Sequence, residues 1–305
     1  MLNEIHSAER RSEHAPINGD FFFSESNRAQ AFGSAHIIVF ANEKGGVGKS
    51  TAAFHTCISL VNQGARVLAV DLDVRQRSLA RALENREGTA RRLGINLPQP
   101  RYTVLTHQTD SGLHQEIARI GSGCDYVVID VAGHDSAIAR HAIVMADSLI
   151  TPVNDSFVDL DVLGTIDPTN LRFKGLGCFT RLVHDLTENR ARRGKLSLDW
   201  VVLQNRLRHL GARNERDVAL ALQKISAKAG FRLSNGLSER VVYRELFPYG
   251  LTLFDLKWLP DMGRVNKAAA QELDHLIAGL RLPAKSAAIP SPQTAQLFGV
   301  HAMSA

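Results

Sequence analysis

Three observations predict a doubly wound α/β fold, a mostly parallel sheet with helices on both faces. Short apolar runs recur at Ile37–Ala41 and within Arg66–Val70 and Asp125–Asp130, and no solvated face interrupts them. Segments with helical spacing separate these runs, the alternation expected of a parallel sheet. Two runs close on carboxylates, Asp71 and Asp130, at the strand ends where open α/β sheets bind ligands.

The first strand, Ile37–Ala41, feeds Asn42-Glu43-Lys44-Gly45-Gly46-Val47-Gly48-Lys49-Ser50-Thr51. Strand, glycine loop and helix in that order are what a phosphate-binding loop requires. Glycines let backbone N–H groups of residues 45–51 converge on phosphate oxygens, and the helix N-terminus adds partial positive charge. Lys49 is placed to reach the β- and γ-phosphates of a nucleotide, and the Ser50 hydroxyl to ligate Mg²⁺. The following helix spans Ser50–Gln63, with Ala53, Cys57, Leu60 and Val61 on one face and Gly64 just past its end.

A second strand, Arg66–Val70, runs into Asp71-Leu72-Asp73. These carboxylates alternate on extended backbone and point the same way, so either can order Mg²⁺ waters or position an attacking water, or cap the next helix. Residues 88–123 carry weaker signals: a short strand at Thr103–Thr106 and a helix at Leu113–Ile120. Asp125–Asp130 is a third core strand whose closing Asp130 is placed to hold Mg²⁺ through water. A fourth strand, Ser148–Val153, leads to Asp155 and Asp159, which face a nucleotide crevice or a dimer seam, or belong to a solvated loop. Helix Phe179–Arg193 ends in basic residues, strand Leu198–Gln204 leads into Asn205-Arg206, and a helix runs from about Asn214 to Ala229. Phe247-Pro248-Tyr249-Gly250 is a turn by its own chemistry, and Val265–Leu280 is a closing helix.

With 305 residues, 44% hydrophobic and 22% charged, we expect a soluble cytoplasmic protein with one domain over residues 36–282. The polar segment 1–35 and the Pro- and Ala-containing segment 283–305 are expected to be flexible tails. No apolar run reaches the roughly 18–20 residues that span a bilayer. The 3 cysteines are far apart, which argues against a metal or redox role. A net charge of +5 is compatible with nucleic acid. Arg206, Arg208, Arg213, Arg216, Lys224, Lys228 and Arg232 concentrate it in one stretch, which is either a solvated face or, with few aromatics for base stacking, a surface for phosphate contacts to duplex DNA.

Lys44-Gly-Gly-Val-Gly-Lys49-Ser-Thr, with Glu43 where a general phosphate loop has its first glycine, resembles the deviant Walker A motif of the ParA/MinD family. Asp71-Leu-Asp73-Val-Arg-Gln-Arg, Thr151–Asp159 and especially Val241–Leu256 resemble its MipZ group, the ATPases that position the division site. The likeness covers nearly all of residues 36–282. Asp130-Val131-Ala132-Gly133 departs from the family's Asp-Thr-Pro-Gly, though Gly133 is kept.

The resemblance implies a slow ATPase with an ATP-dependent homodimer. It assigns Lys44 to nucleotide phosphate across the dimer seam and Asp73 to the hydrolytic water. It places Asn205 and Arg206 at the adenine, and Gly133 near the γ-phosphate. It implies non-specific DNA binding by the dimer, a ParB-type centromere protein and FtsZ as partners, and a gradient over the nucleoid that confines division to midcell. A partition ATPase for chromosomes or plasmids shares every nucleotide residue. The C-terminal segment lacks the basic amphipathic helix of membrane-cycling MinD-type proteins, so no membrane partner is expected. A metabolic enzyme or electron carrier on this fold would need a substrate pocket or paired cluster cysteines.

Overall fold

The structure is a computed structural model and describes residues 35–192, 197–205, 212–238, 241–259 and 267–284. Segments 1–34 and 285–305, expected as tails, lie outside the described residues, as do Arg206 and Arg208.

Seven strands form one parallel sheet in the order β3-β2-β4-β1-β5-β8-β9. They are β1 (His36–Phe40), β2 (Val67–Asp71), β3 (Arg101–Val104), β4 (Tyr126–Asp130), β5 (Ser148–Asn154), β8 (Asp199–Asn205) and β9 (Arg232–Asn235). A small antiparallel pair, β6 (Gly164–Ile166) and β7 (Phe173–Leu176), lies apart from it. Alternation along each strand divides the core. Ile37, Val39, Leu68, Val70, Val127 and Ile129 pack into one buried cluster. Ile38, Phe40, Val67, Ala69 and Val128 pack into the other. Both faces are therefore covered, which is why the sequence shows unbroken apolar runs.

Helices α1 (Lys49–Asn62), α2 (Ser78–Leu93), α8 (Val241–Leu246) and α9 (Lys267–Leu280) supply the second cluster. Helices α3 (Asp110–Ile120), α4 (Ala137–Met145), α6 (Cys178–Arg192) and α7 (Ala212–Ala229), with the single turn α5 (Phe157–Leu160), supply the first. The expected strands and helices are found within a few residues of their sequence bounds. Helices α4, α5 and α8 and strands β6, β7 and β9 are additional to them, and α2, expected only as a helix following Asp73, is given its bounds here.

The sheet pairs β1 with β4, and β4 with β2, in register, so Phe40, Asp130 and Asp71 end side by side. On the other side, Asn154 of β5 is opposite Asn205 of β8. The phosphate loop, the Asp71 and Asp130 carboxylates and Asn205 therefore meet at this one C-terminal edge.

Candidate nucleotide site

Residues 42–48 turn out of β1 and into α1. Asn42 anchors the start: its amide donates to the Pro152 carbonyl (2.7 Å) and its Oδ1 accepts the Lys44 N–H (3.0 Å). Gly46 and Gly48 take positive φ values of 74° and 91°, conformations that favour glycine. Gly48 occupies the N-cap position of α1 without a side-chain cap. The loop is an open cradle, since a Cβ at Gly45 or Gly46 would meet nothing within 4 Å. Convergent N–H groups, an uncapped helix start and open space suit a polyphosphate.

Lys49 is buried in this cradle, where its ammonium donates to the Lys44 carbonyl at 2.8 Å. Burial lowers its pKa, opposed by the charges of Asp130 and Asp73. Gly133 closes over the top: a Cβ there would lie 3.1 Å from the Gly45 backbone and 3.2 Å from Lys49 Nζ. The loop after β4 thus reaches the phosphate cradle as its glycine implied, although Val131 and Ala132 replace the polar and rigid residues of the family pattern.

Burial pushes the Asp130 pKa up to about 8, with Asp71 adding to the rise and the Ser50 hydroxyl and Lys49 opposing it. Its Oδ1 is buried with no hydrogen-bond partner. An orphaned carboxylate oxygen beside a serine hydroxyl matches a hard divalent cation, and the residues fit Mg²⁺ held by Ser50 and, through water, Asp130. Val47 and Thr51 complete the loop, Val47 buried and Thr51 half-buried.

The two carboxylates after β2 divide their work. Asp71 is buried and its oxygens accept the N–H groups of Asp73 (2.9 Å) and Ala80 (3.0 Å), so it shapes the loop and the start of α2. Asp73 stands half-buried at the rim, accepting the N–H groups of Arg75 (3.2 Å) and Gln76 (2.9 Å) through Oδ1. Asp71 thus takes the capping part weighed for this pair, while Asp73 stands at the rim with its charge felt by Lys49.

Asn205 lies beneath the cradle, donating to the Val47 carbonyl (2.9 Å) and accepting the Leu237 N–H (2.8 Å). It braces the loop against the β8 and β9 ends, the position where a base contact was expected of it. Lys44 does not reach outward: it donates to Asp159 Oδ1 at 3.0 Å and to the Val158 carbonyl in the same chain. Asn42 and Asp159 are the site residues that motif reading left without a task, and only their positions beside the loop and after β5 hinted at one.

The expected basic face is spread unevenly. Arg216, Lys224 and Lys228 are exposed on α7, and Lys224 also donates to the Leu171 carbonyl at 2.7 Å. Arg213 is on the same helix, within its first turn. Arg232 departs from the expectation. Its guanidinium is paired with Asp199 (2.8 and 2.7 Å) and donates to the carbonyls of Leu280 (2.6 Å) and Gly279. With those donors committed, it fastens β9 to β8 and to the end of α9 rather than serving DNA. No helix among the described residues is long and apolar enough to cross a membrane.

A parallel sheet carrying this glycine loop, its buried Lys49 and the Asp130 edge defines a P-loop protein of the ParA/MinD type. Within that class, the chain belongs to the family described as ATPase MipZ, whose pattern matches residues 36–284. The chain is 31% identical over 167 residues to the septum site-determining protein MinD of Helicobacter pylori, covering 46% of this chain and 62% of that one. It thus spans about three fifths of the length of the sequence relatives it matches. Among solved structures, McdA of Cyanothece in complex with ATP superposes with a TM-score of 0.55 at 15% identity, covering 83% of this chain and 99% of McdA. A chain of the MinC:MinD cell division complex of Aquifex aeolicus gives 0.51 at 18%, with the same coverages of 83% and 99%. At these identities the likeness is one of fold.

Proposed function

We propose that this chain is an ATP-dependent dimerising ATPase that binds DNA non-specifically and regulates cell division by opposing FtsZ assembly away from midcell. The observation that carries the reading is the pairing of two lysines on one loop, Lys49 buried in the cradle and Lys44 at its mouth. Membership of the MipZ family supports the output.

The loop N–H groups and Lys49 bind and neutralise the β- and γ-phosphates, which is most of what phosphoryl transfer asks of a protein. Mg²⁺, held by Ser50 and Asp130, supplies charge neutralisation on the phosphates when bound. Asp73 orients the attacking water from the rim. Gly133 brings a backbone N–H close to the γ-phosphate position, and Asn205, with Arg206, receives the adenine. Lys44 leaves Asp159 and reaches the nucleotide of a second copy, so that two protomers close over two ATP molecules.

In the dimer, α7 with Arg213, Arg216, Lys224 and Lys228, together with Arg208, meets the phosphates of duplex DNA. A ParB-type protein sets where dimers form. The result is a gradient over the nucleoid in the cytoplasm.

The test is pelleting of FtsZ polymers in GTP with the Asp73→Ala protein and either ATP or ADP. Polymer lost or shortened only with ATP is the expected result. Polymer unchanged in both nucleotides overturns the division role and moves the reading to DNA partition.

A further inference from the structure

Away from the nucleotide edge, two imidazoles on neighbouring helices point at one another. His114 Nε2 of α3 and His141 Nε2 of α4 are 2.7 Å apart, with ring planes inclined at 75°. His141 Nδ1 lies 3.0 Å from Asp110 Oδ2, one helical turn before His114 on the same face of α3. Both helices are fixed at their starts: Thr109 caps α3 through the Gly112 N–H (3.1 Å), and Ser136 caps α4 through the Ala139 N–H (3.3 Å). The facing ring nitrogens are thus held by rigid elements rather than by loops.

One pair of neutral tautomers satisfies both contacts. His141 donates from Nδ1 to the Asp110 carboxylate, which leaves a lone pair on its Nε2. That lone pair accepts the Nε2–H of His114. A carboxylate on the far nitrogen of a histidine, fixing its tautomer and aiming its other nitrogen, is the usual outer arrangement around a histidine-bound metal.

We propose that His114 and His141 form a binding site for a divalent transition-metal ion of the zinc or nickel class, with Asp110 as the carboxylate behind one ligand. Imidazole nitrogen selects these ions over Mg²⁺, which prefers oxygen. At metal–nitrogen distances of about 2.05 Å and tetrahedral angles, the two Nε2 atoms stand about 3.3 Å apart. The rings therefore part by about 0.6 Å, a small rotation, as the ion replaces the shared proton. That proton moves to His114 Nδ1, so both Nε2 lone pairs face the ion and no net charge is lost from the protein. The site supplies two side-chain ligands, and no cluster of three or more His, Cys, Asp or Glu side chains suited to a metal occurs among the described residues. Water fills the other positions. Asp110 is 42% exposed and His141 15%, so the ion has a path in and water can reach it. Because α4 begins four residues after Gly133, the ion would fasten α3 to the helix that carries the loop over the phosphates.

The experiment is thermal unfolding of the full chain, stripped of metal and free of nucleotide, with zinc chloride, nickel chloride or magnesium chloride. An ion that binds only the folded state raises Tm in a concentration-dependent way. Zinc and nickel should raise Tm and magnesium should not. His114→Gln and His141→Gln should abolish the rise, Asp110→Asn should weaken the zinc affinity about ten- to a hundredfold, and His275→Gln, an exposed control on α9, should leave it intact. An equal rise in the two glutamine variants overturns the site, as does no rise in the unmodified chain. If those variants fail to fold, paramagnetic resonance of Cu²⁺ on the unmodified chain decides. Two imidazole nitrogens on one copper support the site, and fewer than two overturn it.

Discussion

Arg86 and Asp255 form a fully buried bidentate ion pair, Nη1 to Oδ2 at 2.7 Å and Nη2 to Oδ1 at 2.8 Å, with neither side chain exposed. The rest of the guanidinium is used as well, Nε on the Pro98 carbonyl (2.9 Å) and Nη1 on that of Gly250 (3.1 Å). Asp255 Oδ2 also accepts the N–H and hydroxyl of Thr252. This pair binds α2 to the segment 247–258, where likeness to the MipZ group is strongest. Thr89 and Asn85, one on each side of Arg86, donate to the Tyr249 and Pro248 carbonyls.

Removing one member leaves an uncompensated charge in the core, which costs about 3–5 kcal/mol. Arg86→Met should therefore lower the urea midpoint sharply. Arg86→Met combined with Asp255→Leu should recover much of the loss, because the buried charge disappears from both sides. A double variant no more stable than the single one would show that the carbonyl contacts of Arg86 dominate.

Gly48 is the point where the cradle tolerates least. At φ 91° a side chain is strained by about 1–2 kcal/mol, and a Cβ would stand 2.7 Å from Asn205 Nδ2. Gly48→Ala should push Asn205 away from the Val47 carbonyl and misalign the loop N–H groups. We expect ATP affinity by calorimetry to fall at least tenfold, about 1.4 kcal/mol, with far-UV circular dichroism unchanged. Asn205→Ala should weaken binding in the same direction from the other side of the contact.

The strands and the phosphate loop were legible because their signals are local. Unbroken apolar runs mean a sheet covered on both faces, and the glycine spacing before Lys49 has few other uses. Helix α2 was obscured because part of its buried face is Arg86 and Thr89, which read as solvent-facing until Asp255 and Tyr249 arrive from about 160 residues away. Strand β9 is four residues of Arg-Leu-Ser-Asn with no buried face of its own, and β6 and β7 are shorter than any periodic pattern. Arg232 and Lys44 show the same limit on side chains. Charge is visible in sequence, but whether Asp199 or Asp159 has already claimed it depends on the fold.

His55 makes acid stability a test of the core. It is fully buried on α1, its Nδ1 on the Thr51 carbonyl at 3.1 Å and its ring edge-on to Phe54 and Tyr243. Burial lowers its pKa from 6.5 to about 4, against the Thr51 carbonyl and the charge of Asp255. As pH falls below 6.5 the unfolded chain takes a proton that the folded chain refuses. Stability from this group is thus complete above pH 6.5 and drains away toward about pH 4. Near pH 4.5 the loss should be about 2.5 kcal/mol. His55→Leu should lose that much less stability between neutral and acid urea titrations; equal slopes would place the acid-labile group elsewhere.

Lys44 has two employers in the proposed cycle, Asp159 of its own chain and phosphate of a second one. Lys44→Ala should keep ATP binding within a few-fold, since Lys49 and the loop N–H groups remain. It should abolish the ATP-dependent rise in light scattering that reports the dimer. Asp73→Ala should do the reverse, holding the dimer while phosphate release falls at least tenfold, about 1.4 kcal/mol in barrier. A Lys44→Ala protein that still dimerises with ATP would remove the cross-seam role.

The DNA face is read best through salt. Arg216 is exposed on α7, and Arg213 lies in the first turn of that helix. Each phosphate contact contributes about 0.9 to the slope of log affinity against log salt on duplex DNA. Replacing Arg213 and Arg216 together by Ala should therefore flatten the slope for the ATP-bound Asp73→Ala protein by up to about 2 per protomer, uniformly across DNA sequences. The Arg232→Ala variant should behave oppositely, leaving the slope alone and lowering thermal stability, because its charge already belongs to Asp199. If the slope moves with Arg232 and not with the α7 pair, the DNA lies along the β9 edge of the sheet instead.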